Sequence, residues 1–194
     1  MPSLSVLCII KLVVLTPKKI VITGGPSTGK TVLISELEKM GYPCLNEISR
    51  SVTLAAREEG IEQLFLTDPL LFSKRLLDGR LQQFTEAASY TSEFVFLDRG
   101  IHDVIAYMDC VASDYDQPFI DACTAHEYDT VFLLPPWKEI YTSDNERYED
   151  WEEALKINDH LRKTYTKYGY TFIEVPFGTL QERANFILSH LKQQ

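Results

Sequence analysis

The stretch KKIVITGGPSTGKTVLISELEKMGY, residues 18–42, holds three local signals in a fixed order. The run KIVITG (19–24) is short, β-branched and apolar, which predicts a strand. Gly24-Gly25-Pro26-Ser27-Thr28-Gly29-Lys30-Thr31 then fits the pattern GxxxxGK[ST]. Helical spacing follows through the residues after Lys30. Each residue type has a reason in phosphate chemistry. Glycines let successive backbone N–H groups curl around an anion, and the N-terminus of the following helix adds partial positive charge. Lys30 is long enough to reach β- and γ-phosphates, and the Thr31 hydroxyl suits Mg²⁺. A glycine-rich turn arising by chance has no need of a strand before it and a helix after it.

Working outward, short β-rich runs alternate with longer helical ones. Strands are predicted at 19–24, 42–47 (YPCLNE), 93–98 (EFVFLD), 129–135 (DTVFLLP) and 170–176 (YTFIEVP). These are nearly continuous apolar runs, as strands covered on both faces require. The alternation predicts an α/β fold, a Rossmann-like P-loop NTPase with a five-stranded, mostly parallel sheet and helices on both faces. Helix starts are marked by Asp68-Pro69, by Asp150 with Glu153, and by Thr179 with Glu182. The stripes Leu70/Leu77/Leu81/Phe84, Ile101/Val104/Ile105/Met108 and Ala184/Ile187/Leu188/Leu191 are read as core. The polar, aromatic segment PPWKEIYTSDNERYED (135–150) leaves the C-terminal end of the fourth predicted strand, where open α/β sheets hold ligands, and is a lid candidate.

The 194 residues carry a net charge of −9, with 28 acidic against 19 basic side chains, the wrong sign for a protein that wraps nucleic acid or lies on an anionic membrane. Cys8, Cys44, Cys110 and Cys123 are scattered, with no CxxC pair or Cys/His spacing for zinc, and read as free thiols of a cytoplasmic protein. The apolar run from Ser5 to Leu15 is broken by Lys11 and is too short for a stable membrane span. Residues 1–17 are therefore read as an N-terminal extension, either an extra strand or the product of a start codon upstream of the true one, and residues 18–194 as one domain.

A P-loop also needs an acid to hold the metal, and FVFLD supplies Asp98 at a strand end. Arg99 follows it, placed to pair with a phosphate or with a substrate carboxylate, and Gly100 permits the turn into the next helix. Together with LNEISRSV (45–52), FLDRGIHDVIAYM (96–108) and ERYEDWEEALKINDHLRKTYTKYGYTFIEVP (146–176), the P-loop stretch resembles a family of small AAA-like P-loop ATPases. That family includes or borders the ribosylnicotinamide kinase half of the bifunctional NAD-biosynthesis regulator, and is more distantly similar to deoxynucleoside and thymidylate kinases. The resemblance covers residues 18–192.

The resemblance implies a kinase-like fold with the P-loop strand central and a lid over the phosphates. It implies Glu47 as general base for an acceptor hydroxyl, with Arg50 one helical turn later facing the same pocket. It further implies Asp98-Arg99 as the acid–arginine pair of such kinases, Asp103 as a shared feature, and Arg147 as the lid arginine. No nucleobase-reading motif accompanies these residues, and no second arginine-finger domain such as ring-forming ATPases carry.

The remaining charges divide. Lys138 shares the lid segment, while Arg75 and Arg80 read as charges on the wet face of the helix from Pro69. The four histidines do not cluster, but His102 follows Asp98-Arg99-Gly100 and is placed to edge the acceptor pocket. PFGTL (176–180) follows the last strand, a place for the nucleotide base. The resulting expectation is an ATP-binding kinase of a nucleoside-like small molecule, using Mg²⁺. Thr31 and Asp98 hold the metal, Lys30, Arg99 and Arg147 balance charge, and Glu47 takes the proton. The rival class is a switch or slow NTPase that only binds ATP or GTP; the lack of NKxD counts against a Ras-like GTPase.

Overall fold

The structure, a computed structural model, describes residues 16–141 and 150–193. Thirteen elements follow the order β1 (Lys18–Gly24), α1 (Lys30–Lys39), β2 (Cys44–Leu45), α2 (Ser49–Glu58), α3 (Leu64–Thr67), α4 (Pro69–Ala87), β3 (Phe94–Asp98), α5 (Ile101–Cys110), α6 (Gln117–Ala125), β4 (Thr130–Leu134), α7 (Trp151–Lys167), β5 (Ile173–Glu174) and α8 (Leu180–Leu191). The five strands form one sheet in the order β2-β3-β1-β4-β5, and every pairing is parallel. The expected α/β fold with the P-loop strand at the centre is the observed one.

Two strands are shorter than the sequence suggests. The runs at 42–47 and 170–176 pair only over Cys44–Leu45 and Ile173–Glu174. Both lie at sheet edges with a single neighbour, so apolar content there serves packing more than ladder bonds.

Strand alternation divides the core cleanly. Val21, Val95, Leu97, Val131 and Leu133 face α4, α5, α6 and α7, while Ile20, Ile22, Phe94, Phe96, Phe132 and Leu134 face α1 and α8. Successive residues pointing to opposite faces, all apolar, is what a sheet covered on both sides demands. A third, smaller cluster of Val52, Ala56 and Leu64 ties α2 and α3 to α4. The helix starts were legible: Asp68 caps α4 through Leu71 N–H at 2.9 Å, and Asp150/Glu153 and Thr179/Glu182 close capping boxes.

The register sets up the cleft. Ile22 of β1 pairs with Asp98 of β3, so the acid at the end of β3 stands beside the strand that leads into the phosphate loop. The strand order reverses around β1, making the C-terminal edge of β3 and β1 the place where an α/β sheet opens a crevice.

Candidate active site

The phosphate loop joins the end of β1 to the first turn of α1. Ser27 (φ 56°) and Gly29 (φ 76°) adopt left-handed backbone, which winds the chain tightly enough to bring N–H groups toward one point. A side chain at Gly29 would also put its Cβ 2.8 Å from Arg183 Nη1. The Thr28 hydroxyl donates to the Gly25 carbonyl at 3.1 Å and so braces the turn from within. Behind it, buried Arg183 donates Nη2 to the Thr28 carbonyl at 3.0 Å. The Arg183 guanidinium lies 5.5 Å from the Trp137 ring, and Trp137 stacks on Phe177 at 5.0 Å. Trp137 of the lid candidate and Phe177 of PFGTL are thereby placed against the outer side of the loop.

Facing the loop is a cluster of ions. Lys30 Nζ bonds to Asp98 Oδ1 and lies 3.9 Å from Glu47 Oε2. Glu47 receives Arg99 Nε at 2.6 Å on one oxygen and Arg80 Nη2 at 3.0 Å on the other. The second oxygen also accepts the Ile48 N–H at 3.0 Å. Burial alone would raise the Glu47 pKa, but Arg80, Arg99 and Lys30 outweigh it and hold the carboxyl down at about 2. Burial lowers the pKa of Lys30, with Asp98 and Glu47 opposing that shift.

Arg99 is held in an unusual backbone, φ 72°, with its N–H on the Ile22 carbonyl at 3.0 Å. A non-glycine residue in that region is strained, and strain is kept where the surroundings over-determine it. Here they do. Arg99 Nη1 reaches Asp103 at 3.3 Å, and its guanidinium packs 5.0 Å from the Tyr107 ring. Asp103 is almost wholly buried and satisfied by the protein: Thr23 hydroxyl at 2.6 Å, Tyr165 hydroxyl at 2.6 Å and Gly100 N–H at 2.9 Å. Asp103 therefore reaches the cleft chiefly by holding Arg99.

Beyond Glu47 opens a cavity of about 490 Å³ between α2, α4 and α5. Glu47, Arg80, Arg99 and Asp103 form its charged end, while Phe72, Leu76, Tyr107 and Met108 form an apolar wall. Its size is within the range of small-molecule sites.

The cleft brings Lys30, Glu47, Asp98, Arg99 and Asp103 together. Three expectations are corrected. Arg50 is exposed, and Ser49 and Thr53 are the α2 residues that line the cavity; one step along a helix turns the side chain about 100° away. Arg80 is 3% exposed and not on a wet face: it bridges Glu47 and the Asp98 carbonyl, the latter at 3.2 Å. Its signal was present, because Leu77 and Phe84 flank it at i−3 and i+4 on the apolar stripe. His102 points away from the cavity, with Nε2 3.1 Å from the Cys123 carbonyl among Tyr128, Tyr165, Tyr168 and Tyr170. Arg75 does keep to the surface, paired with Glu59. Lys138 is exposed, 4.5 Å from the Trp151 ring, while Arg147 and all but the last two residues of the 1–17 extension lie outside the described residues.

Among the described residues no group of three or more His, Cys, Asp or Glu gathers for a metal, and no helix is long and apolar enough to cross a membrane. Mg²⁺ asks for less than such a group. It takes one or two protein oxygens and completes its shell with water and phosphate, and the Thr31 hydroxyl with the Asp98 carboxylate is a hard-oxygen set of that kind.

Comparison with known proteins agrees with this fold. A deoxyadenosine kinase from M. mycoides superposes with a TM-score of 0.66 at 18% identity, covering 91% of this chain and 100% of that one. A NadR protein, solved with NAD and AMP-PNP, superposes with a TM-score of 0.69 at 19% identity, over 91% of this chain and 49% of that one. This chain thus spans about half of NadR. Shikimate kinase from Acinetobacter baumannii gives a TM-score of 0.59 at 18% identity over 92% of this chain and 94% of that one. At these identities the likeness speaks to the fold. A search of curated proteins finds no match. The family model described as an AAA domain matches residues 19–183, and the chain belongs to that family.

Proposed function

We propose that this protein is a cytoplasmic phosphotransferase that uses ATP and Mg²⁺ to phosphorylate a hydroxyl of a small, nucleoside-like molecule. One observation carries the reading above all others. Glu47 sits 3.9 Å from the P-loop lysine on one side and lines the 490 Å³ cavity on the other, so the phosphate-binding and cavity sides meet at one carboxylate. A protein that only bound or hydrolysed a triphosphate needs no cavity behind its γ-phosphate.

The donor would lie along the phosphate loop, with its base toward Trp137 and Phe177. Loop N–H groups and Lys30 take up phosphate charge, and Lys30 exchanges part of its bond to Asp98 for the phosphate oxygens. When bound, Mg²⁺ would be held by Thr31 and Asp98 and offset the charge of the phosphate oxygens. Arg99, fixed by Glu47 and Asp103, stabilises charge on the transferring group.

Glu47 orients the acceptor hydroxyl and accepts its proton. A carboxyl held at about 2 is too weak a base to ionise an alcohol beforehand. In a loose phosphoryl-transfer transition state the alcohol needs to lose its proton only late, when the forming O–P bond has made it acidic. The acceptor O–P bond then forms as the bond from the γ-phosphorus to the β,γ-bridging oxygen breaks, with the electron pair leaving on ADP and the proton passing through Glu47 to solvent.

The test is acceptor-stimulated nucleotide consumption. Purified protein incubated with ATP or GTP, Mg²⁺ and a library of nucleosides and other alcohols should form diphosphate faster with its acceptor, and mass spectrometry should find that acceptor heavier by one phosphoryl group. Diphosphate formation that no alcohol stimulates, with no phosphorylated product, would leave only a slow NTPase or switch.

A further inference from the structure

Resting on the phosphotransferase reading, we infer that the acceptor is uncharged: a hydroxyl compound with a flat or apolar body, selected against acceptors that already carry a phosphate or carboxylate. The charge balance at the cavity carries the inference. Among the described residues, the cations that line the cavity are Arg80 and Arg99. Both are committed. Arg80 gives Nη2 to Glu47 and Nη1 to the Asp98 carbonyl, and Arg99 gives Nε to Glu47 and Nη1 to Asp103. With Lys30 on Asp98, three positive charges face the three negative charges of Glu47, Asp98 and Asp103.

An anionic group entering this cavity would meet a cluster that is already neutral. It could take a hydrogen bond from Arg99 Nη2, but to gain a guanidinium's full charge it would have to displace Glu47 or Asp103 and leave a buried carboxylate without its partner. Left unpaired, it would instead lose its own hydration inside a partly apolar cavity. An alcohol faces neither cost, because it needs one acceptor, the Glu47 carboxylate, for its single proton.

The far end of the cavity says what the rest of the molecule is like. Phe65, Phe72, Leu76, Tyr107, Met108 and Val111 form an apolar and aromatic surface. The neutral polar side chains that line it are the hydroxyls of Ser49, Thr53, Ser73 and Ser113 with the phenol of Tyr107, and among the described residues no Asn or Gln is there. Reading one nucleobase against another takes paired donors and acceptors on a fixed plane, which carboxamides supply and rotating hydroxyls do not. Recognition here is by ring packing and shape, and the enzyme should discriminate weakly among bases while discriminating strongly against charge.

The experiment uses matched pairs differing only in charge: a nucleoside against its 3′-monophosphate, which keeps the 5′-hydroxyl, and benzyl alcohol against 4-(hydroxymethyl)benzoate. The full chain, ATP and Mg²⁺ are common to all, and both ADP and phosphorylated acceptor are measured. The uncharged member of each productive pair should have the higher kcat/KM, by about a hundredfold or more, and exchanging the nucleobase should change it about tenfold or less. Ser73→Arg, which adds an uncommitted cation to the wall, should shift the ratio toward the anionic member by about tenfold. Anionic acceptors used as well as or better than their uncharged partners, or a ratio that Ser73→Arg does not move, would overturn this inference and leave the phosphotransferase intact. Turnover of no acceptor in any pair, with ATP still bound, would instead overturn the phosphotransferase reading and this inference with it.

Discussion

The phosphate side and the cavity side of the cleft are built from different materials. The phosphate side is one unbroken stretch, Gly24 to Thr31, and its working groups are mostly backbone N–H. The cavity side is assembled from side chains far apart in the chain: Arg80 and Arg99 reach Glu47 across 33 and 52 residues. A local backbone site needs only the right turn, whereas the ion cluster needs the sheet, α4 and α5 all in place before any of its charges is neutralised. The first should tolerate changes in the second, and the reverse should hold less well.

Lys30 belongs to both sides, and its substitution tests whether they are joined there. Lys30→Met should lower phosphoryl transfer by about a thousandfold or more, because the charge lost faces the transferring group in a water-poor site. Calorimetry should show triphosphate binding weakened far more than the midpoint of chemical unfolding. Unchanged ATP affinity would mean that the loop does not hold the phosphates.

Glu47→Gln separates the two sides. Acceptor-dependent turnover should fall about a hundredfold to a thousandfold while nucleotide affinity stays within about twofold. Stability supplies a second readout. The Glu47 carboxyl titrates at about 2 in the folded chain against an ordinary 4.5, so its contribution is fully present above pH 4.5 and is lost as pH falls toward 2. That amounts to about 3 kcal/mol over the interval. The Gln variant should lack this part of the acid-unfolding slope, and an identical slope in both proteins would mean that the three cations do not act on Glu47.

The same contrast explains what the sequence revealed. Gly24–Thr31 was legible because strand, turn and helix signals are contiguous, and Asp98 because a lone acid closing FVFLD can only stand at a strand end. Arg80 reads as a surface charge only while its charge is weighed above its position in the helix. An arginine between Leu77 and Phe84 on an apolar stripe is a buried arginine awaiting a carboxylate, and nothing in the sequence says that the carboxylate is Glu47. Asp103 lies in the first turn of α5, off the apolar stripe, and only the fold shows Thr23 and Tyr165 filling its oxygens. The shortness of β2 and β5 was hidden for another reason: edge position depends on strand order, which local composition does not encode.

Arg80→Met sharpens the comparison from the cavity side. Removing one guanidinium leaves Glu47 to Arg99 and Lys30 and frees the Asp98 carbonyl, so the expected cost is about 3 kcal/mol in urea unfolding, at the lower end for breaking a buried pair. The acceptor KM should rise while the KM for ATP holds. Equal changes in both would show that Arg80 supports the whole cleft and not its cavity side.

His102 lies behind the same cluster, one residue before Asp103, and its effect is the smallest and the most dependent on pH. Burial holds its pKa at about 4 against an ordinary 6.5, with Asp103 and the Cys123 carbonyl only partly offsetting that. The folded chain therefore keeps the ring neutral where the unfolded chain protonates it. Stability from this source is complete above pH 6.5 and declines as pH falls toward 4, by about 2 kcal/mol at pH 5. In His102→Phe, the new ring would occupy the space among the surrounding tyrosines and cannot titrate. Its stability should change less between pH 7 and pH 5 than that of the parent, by about that amount, while Glu47 keeps its own slope at lower pH. If both proteins lose stability equally between pH 7 and 5, the imidazole is reached by water, and the rear wall that fixes Asp103 and through it Arg99 is looser than the packing of Tyr128, Tyr165, Tyr168 and Tyr170 implies.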